Sequence, residues 1–244
     1  MAVPKTARIV ATRALGEHTR LIDLELEGGG PLGFRGGQYM ITDTGVDLEG
    51  GKRAKRAYSL LSSDEEQSRF TIAVKRLDRG PGSAAMHAKL VGATFTFSGP
   101  WGKLVPPAET RGSTIVFCTD TGITAGLGLA RAATFRPMAP RSVVVWYVDE
   151  GSFLTESFVR DALAERGVPL VVEPALPVHH PERADHARAA LDRAARDRGA
   201  PSDAFLTGDG HVIFPLREEL TCAGLADDRV LLEPFFHNPA RKAP

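Results

Sequence analysis

Apolar and polar positions alternate in short runs from Lys5 to about Val105: TARIVATRAL, RLIDLEL, QYMITD, RAYSLLS, RFTIAVKRL and TFTFSG. A period of two places the apolar side chains on one face of a strand. Turn-forming GGGPLG, GVDLEGG and SSDEEQ separate the runs, as in an antiparallel barrel or sandwich. One short helix is predicted in this half, from Ser83 to Leu90, and VPPAETRGS then reads as a linker. After Ser113 the pattern changes. STIVFC and SVVVWYV are continuous apolar runs, expected of strands buried on both faces. They alternate with helix-length segments (Gly122 to Phe135, FLTESFVRDALAER, PERADHARAALDRAARDR and VIFPLREELTCAG) and with the further strands VPLVVE, DAFLTG and DRVLLEPF. Strand–helix alternation implies a parallel sheet with crossover helices. The expected fold is therefore two-domain: an antiparallel β-barrel over residues 1–107, followed by an α/β parallel-sheet nucleotide-binding domain over residues 112–244.

Composition narrows the function. The 244 residues are 43% hydrophobic and 25% charged, with 30 Lys and Arg balancing 30 Asp and Glu. Zero net charge gives no basic footprint for nucleic acid. No apolar run approaches the ~20 residues that span a bilayer, and the opening MAVPKTARIVATRALG lacks the apolar core of a signal peptide. The two cysteines, Cys118 and Cys222, are too few for an iron–sulfur cluster or a structural zinc site. A cytoplasmic protein with reduced thiols is expected. His179, His180 and His186 lie in a Pro-rich stretch, PALPVHHPERADH, which reads as a solvated loop, so no metal site is expected.

Three stretches carry candidate chemistry. In KRAYSL, Arg56 and Tyr58 share one strand face while Ala57 and Ser59 share the other. Such a strand suits a flat ring with a phosphate tail, and equally an exposed edge. The stretch Arg79-Gly80-Pro81-Gly82-Ser83-Ala84 opens the short helix, where backbone amides favour an anion and Arg56 could add a cation. Its alternative is a structural turn with Ser83 as N-cap. Two strand–helix turns, Thr119-Asp120-Thr121-Gly122-Ile123-Thr124 and Leu206-Thr207-Gly208-Asp209-Gly210-His211, could admit a pyrophosphate or simply cap their helices.

Taken in order, these residues resemble the ferredoxin–NADP reductase family. The flavin-binding half is matched by Gly37-Gln38-Tyr39, Arg56-Ala57-Tyr58-Ser59, Val74-Lys75-Arg76, Gly80-Pro81-Gly82-Ser83 and Gly99-Pro100-Trp101-Gly102. The pyridine-nucleotide half is matched by Thr121-Gly122-Ile123-Thr124, the Gly208 turn and Glu233-Pro234-Phe235-Phe236. The resemblance implies FAD and either NADPH or NADH as cofactors. Tyr58 would pack against the flavin, with Ala57 beside it. Ser59 would place its hydroxyl near the reactive flavin nitrogen, and Val74 and Lys75 would line the pocket. Arg56, Gly80, Gly82 and Ser83 would hold the pyrophosphate of FAD. Thr121, Gly122, Gly208, Phe235 and Phe236 would contact the nucleotide, with Glu233 and Thr207 by the nicotinamide.

The chain also departs from the family pattern. Asp120 replaces a glycine of the first nucleotide turn, Ala125 stands in place of its proline, and Thr207-Gly208-Asp209 stands where Cys-Gly-Pro is usual. A carboxylate beside a pyrophosphate is unfavourable. The implied function is a monomeric reductase moving electrons between NAD(P)H and ferredoxin or flavodoxin, with the basic run Lys52, Arg53 and Lys55 available to steer an acidic partner. Two rival readings are a flavin reductase or oxygenase-linked reductase component, and a non-catalytic flavin-binding subunit with a decayed nicotinamide site. The end of SVVVWYV, Asp149-Glu150, favours NADH locally. The family namesake, with Arg183, Arg188 and the loop histidines as candidate 2′-phosphate ligands, points to NADPH.

Overall fold

The structure, a computed structural model, describes residues 3–107, 109, 112–149, 153–196 and 198–239. The first half forms β1 (Lys5–Ala14), β2 (Thr19–Leu26), β3 (Tyr39–Asp47), β4 (Arg53–Ser59), β5 (Arg69–Lys75) and β6 (Thr94–Trp101). They make one antiparallel sheet in the order β4-β3-β6-β1-β2-β5. The sheet is barrel-like but not closed by a strand ladder. Its two edge strands approach just past β4, where Leu61 N donates to Thr71 O at 2.8 Å. Alternation fills the inside with Ile9, Ile22, Leu24, Met40, Phe70, Ile72, Val74 and Phe97. Phe70 and Phe97 meet edge to face with ring centres 5.8 Å apart.

Helix α1 (Pro81–Ala88) packs across β3, β4 and β5. It starts two residues earlier than the pattern predicts, because Pro81 holds helical φ at the first position, where no backbone donor is needed.

The second half forms a parallel sheet of β7 (Ser113–Thr119), β8 (Ser142–Val148), β9 (Leu170–Pro174), β10 (Pro201–Asp209) and β11 (Val230–Phe236), in the order β11-β10-β7-β8-β9. Every residue of β8 is buried, in line with its unbroken apolar run. The connecting helices are α2 (Ile123–Ala130), α3 (Glu156–Ala164), α4 (Arg183–Arg196) and α5 (Gly210–Cys222). Helix α2 is shorter than the Gly122–Phe135 segment expected. Residues Asp120–Gly122 form a separate 3₁₀ turn, and Ala132 is extended at φ −61°, ψ 142°, ending the helix. Among the described residues no helix is long and apolar enough to cross a membrane.

One core lies on the α4–α5 face of the parallel sheet, around Phe117, Tyr147, Leu191, Ile213 and Leu216. The core on the opposite face also takes in Leu21, Leu61, Ala73 and Leu104 from the barrel, so the two sheets share one apolar seam. Within the seam, α2 lies backbone to backbone on the barrel. A Cβ on Gly128 would fall 2.1 Å from Leu60 O, and one on Gly36 would fall 2.2 Å from Gly128 O. Only glycine permits that approach.

Candidate functional site

On β4, Arg56 and Tyr58 pair across the ladder with Thr42 and Met40 of β3. The first turn of α1 arrives beside them. A Cβ on Gly82 would meet Thr44 Cγ2 at 3.3 Å and Arg56 Nε at 3.4 Å. The guanidinium thus stands at a helix N-terminus whose first amides lack intrahelical acceptors, a combination suited to phosphate oxygens.

The Tyr58 hydroxyl is buried and has no hydrogen-bond partner among the described residues. Burial pushes its pKa up to about 12 against the opposing pull of Arg56, so the group stays a neutral donor. An unmet buried hydroxyl costs about 1–3 kcal/mol, which a bound ligand's polar group would recover. Arg56, the α1 amides and this orphaned hydroxyl fit the flavin dinucleotide that the motif implies.

Other expected ligands are placed differently. The Ser83 hydroxyl accepts from Leu77 N at 3.1 Å and donates to Gly80 O at 2.9 Å. It shapes the loop, leaving backbone amides to face a phosphate. A Cβ on Gly80 would lie 2.7 Å from that hydroxyl oxygen. The Val74 side chain is wholly within the barrel core, Lys75 is half-buried at the end of β5, and Ala57 is exposed on the far face of β4.

Ser59 is buried at the end of β4. It pairs with Tyr39, which pairs in turn with Trp101. A Cβ on Gly102 would lie 3.0 Å from Glu233 Oε2 and 3.1 Å from Tyr39 Cδ1. Ser59 from the barrel and Glu233 from β11 therefore converge around Tyr39.

The Gly122 turn follows β7 and Gly208 lies at the end of β10, adjacent strands at the point where the sheet order reverses, which is where open α/β sheets bind ligands. The turns interlock. Thr207 Oγ1 donates to Gly122 O at 2.9 Å, and Asp209 N donates to Thr119 Oγ1 at 2.7 Å. A Cβ on Gly122 would sit 2.6 Å from Thr207 O, and one on Gly208, at φ +116°, would sit 2.3 Å from Thr119 Oγ1. Thr207 is fully buried, and its hydroxyl is engaged with Gly122 instead of facing the crevice. Thr121 lies in the 3₁₀ turn and its carbonyl accepts from Thr124 Oγ1 at 2.9 Å.

Asp120 adopts a left-handed φ of +47°, and its carboxylate meets Arg183 Nη2 at 2.5 Å. The Nε of Arg183 lies 3.3 Å from Asp209 Oδ2, close but misaligned for a hydrogen bond. Arg183 is 3% exposed and lies over the Tyr147 ring at 5.2 Å. Burial raises the Asp120 pKa, Arg183 opposes the rise, and Asp209 adds to it. Asp120 and Asp209 thus share one internal cation, an arginine expected from the sequence at a 2′-phosphate. Arg188 is also committed, to Glu219 and, at 3.0 Å, to Asp185. His186 meets Tyr147 Oη at 3.1 Å, and His180 Nδ1 accepts from Glu182 N at 3.2 Å.

Asp149 is exposed just past β8, while Glu150 lies outside the described residues. In the basic run, Arg53 pairs with Asp43 and Asp47, at 3.3 and 2.9 Å. Phe235 packs against the shared seam, and Phe236 meets the His237 ring edge-on at 5.0 Å.

Comparison with known proteins agrees with this geometry. Residues 6–105 match the oxidoreductase FAD-binding domain. The chain is 31% identical over 162 residues to ferredoxin--NADP reductase B of Sorangium cellulosum, covering 66% of the chain and 64% of that relative. It is 30% identical over 137 residues to NADH-cytochrome b5 reductase 1 of Dictyostelium discoideum, covering 55% and 46%. It is 29% identical over 117 residues to the ferredoxin--NAD(+) reductase component of the alkene monooxygenase system of Xanthobacter autotrophicus, covering 48% and 34%. The matches thus span less than two thirds of each relative.

Among solved structures, a ferredoxin NADP+ reductase from Neisseria gonorrhoeae with bound FAD and NADP superposes with a TM-score of 0.76 at 17% identity, covering 97% of this chain and 100% of that one. The Amycolatopsis cytochrome P450 reductase GcoB superposes with a TM-score of 0.73 at 21% identity, covering 96% and 70%. Residues 6–105 thus belong to the oxidoreductase FAD-binding domain family, and the two-sheet architecture is the fold of ferredoxin–NADP reductases.

Proposed function

We propose that this chain passes a hydride between NADH and FAD, and exchanges single electrons with a separate carrier, ferredoxin or flavodoxin. The observation that carries this reading is the convergence of Ser59 and Glu233 on Tyr39, between the Arg56 cradle and the interlocked glycine turns. FAD, when bound, supplies the conversion between a two-electron hydride and single electrons. The protein's part is position and charge. Arg56 and the α1 amides hold phosphate, Tyr58 donates from a buried hydroxyl, and Ser59 offers a second hydroxyl. Gly122 and Gly208 let the two turns interlock with no side chain between them, and Arg183 partly offsets two carboxylates that would otherwise repel a pyrophosphate. Two free thiols, Cys118 buried and Cys222 exposed, are too few to ligate an iron–sulfur cluster within these residues.

The choice of NADH rests on Arg183 and Arg188. Both arginines expected at a 2′-phosphate are already paired with carboxylates, while Asp149 stands exposed at the end of β8. A second reading, service to an oxygenase system, is favoured by the alkene monooxygenase relative. Purified protein should be yellow. Anaerobic mixing should bleach it faster with NADH than with NADPH, and added ferredoxin should stimulate cytochrome c reduction. A colourless protein, or one bleached by neither nucleotide, would support the non-catalytic reading instead. A tenfold or greater preference for NADPH would overturn the choice of NADH alone.

A further inference from the structure

We propose that Asp209, His211 and His237 form a binding site for a borderline divalent metal ion of the zinc class. One carboxylate oxygen and two imidazole nitrogens of these residues all lie within 4.8 Å of one another. Two histidines and a carboxylate, with a water in the fourth position, make a familiar ligand set for Zn²⁺. Ligand atoms around zinc stand about 3.3 Å apart at its bond lengths, so the group need contract only by the travel of side chains.

Two of the three ligands are already fixed. Asp209 is fully buried and caps α5, its Oδ1 accepting from His211 N at 3.0 Å. The same oxygen lies 2.8 Å from His237 Nδ1. His237 reaches it in a left-handed conformation, φ +50°, that non-glycine residues seldom adopt. Its carbonyl packs so tightly on Gly210 that a Cβ there would lie 2.0 Å away. A backbone held in this way marks a constrained site.

The third ligand is adjustable. The His211 and His237 rings are stacked, with centres 4.0 Å apart and planes 12° apart. A shared ion must lie in the plane of each ring, so one ring must turn. His211 is exposed and can turn without displacing packed atoms.

The ion's class follows from charge. Arg183, 3.3 Å from Asp209 Oδ2, offsets the only carboxylate. Hard cations such as Mg²⁺, which rely on several oxygen ligands, are disfavoured there, whereas imidazole ligands suit Zn²⁺, Ni²⁺ and Cu²⁺. An occupied site would tie the start of α5 to the residue that follows β11.

The test is calorimetric titration of untagged, cofactor-loaded protein with ZnCl₂ and, separately, MgCl₂ in chelator-treated buffer. It needs no turnover, so it succeeds or fails independently of the proposed reductase activity. Micromolar binding of Zn²⁺ at a single site is expected, with no Mg²⁺ binding and a thermal midpoint that rises with Zn²⁺. His211→Ala and His237→Asn should each weaken zinc binding about tenfold or more, while His180→Ala should leave it unchanged. Zinc binding absent below about 1 mM, or unaltered in His211→Ala, would overturn the site. If His237→Asn does not fold, the exposed His211 decides the matter alone.

Discussion

Arg56 stands beside the first turn of α1, its Nε 3.4 Å from where a Cβ on Gly82 would sit, and replacement by alanine removes that cation. Loss of a charge-assisted hydrogen bond is worth about 1.5–3 kcal/mol, so FAD affinity of Arg56→Ala should fall about tenfold to a hundredfold. Flavin fluorescence titration of the apoprotein measures this, and undiminished affinity would remove Arg56 from the site. The cysteines give a second test. Burial pushes the Cys118 thiol up to about 12, whereas Cys222 is exposed. Native protein should therefore consume one equivalent of a thiol reagent at neutral pH and a second only after denaturation. The placement of Arg56 and Tyr58 on one face of a strand and Ser59 on the other was legible in the sequence, because a strand's period of two fixes which side chains share a face. That of Arg183 was not. Its partner Asp120 lies 63 positions earlier, a pairing that no local pattern encodes.

The interlocked turns after β7 and β10 are where an added methyl group should do most harm to nucleotide binding. Gly208→Ala must place a Cβ 2.3 Å from Thr119 Oγ1 at a φ of +116°. The variant should stay yellow but lose reduction by NADH. Anaerobic mixing checks this, and unchanged reduction would detach the turn from the function. Arg183→Met tests the charge network. Removing one member of a buried ion pair costs about 3–5 kcal/mol, and here Asp120 and Asp209 would both lose their cation. Chemical denaturation should show a loss of that order, partly recovered when Asp120→Gly is added. A loss below about 1 kcal/mol would show that water replaces the guanidinium. The elements themselves were legible in the alternation of apolar residues, down to the fully buried β8. The end of α2 was not, since Ala132 leaves the helix through its backbone conformation inside the run ARAATF, where no glycine or proline marks a stop.

Across the whole molecule, the two halves are joined by an apolar seam and by ion pairs. Glu65, in the barrel, accepts from Arg136 Nη2 at 2.8 Å and lies 3.5 Å from Arg166. Arg136, then Ser63, hold the Glu65 pKa below its usual value. A carboxyl depressed in the folded state contributes stability above its unfolded pKa and loses it as pH falls through the folded value. Wild-type protein should thus melt slightly above Glu65→Gln near neutral pH, with the gap closing as pH falls through the depressed carboxyl range and shrinking in high salt. A gap independent of pH would assign it to packing. The division into a barrel-like sheet and a parallel sheet could be read from the change of period near Ser113, but the seam could not, because Leu21, Leu61, Ala73 and Leu104 look like ordinary barrel residues until α2 is laid against them.

The contact of Gly128 with Leu60 O and Gly36 bears on how such a protein can be rebuilt. Leu60 directly follows Ser59, and α2 directly follows the Gly122 turn, so the spacing between the two cofactor sites is gauged by main chain on main chain with no side chain between them. Mutation can enlarge that spacing but has nothing there to trim. A chimera that takes its nucleotide half from another reductase should keep its hydride-transfer distance only if glycines at positions 36 and 128 face each other across the new join.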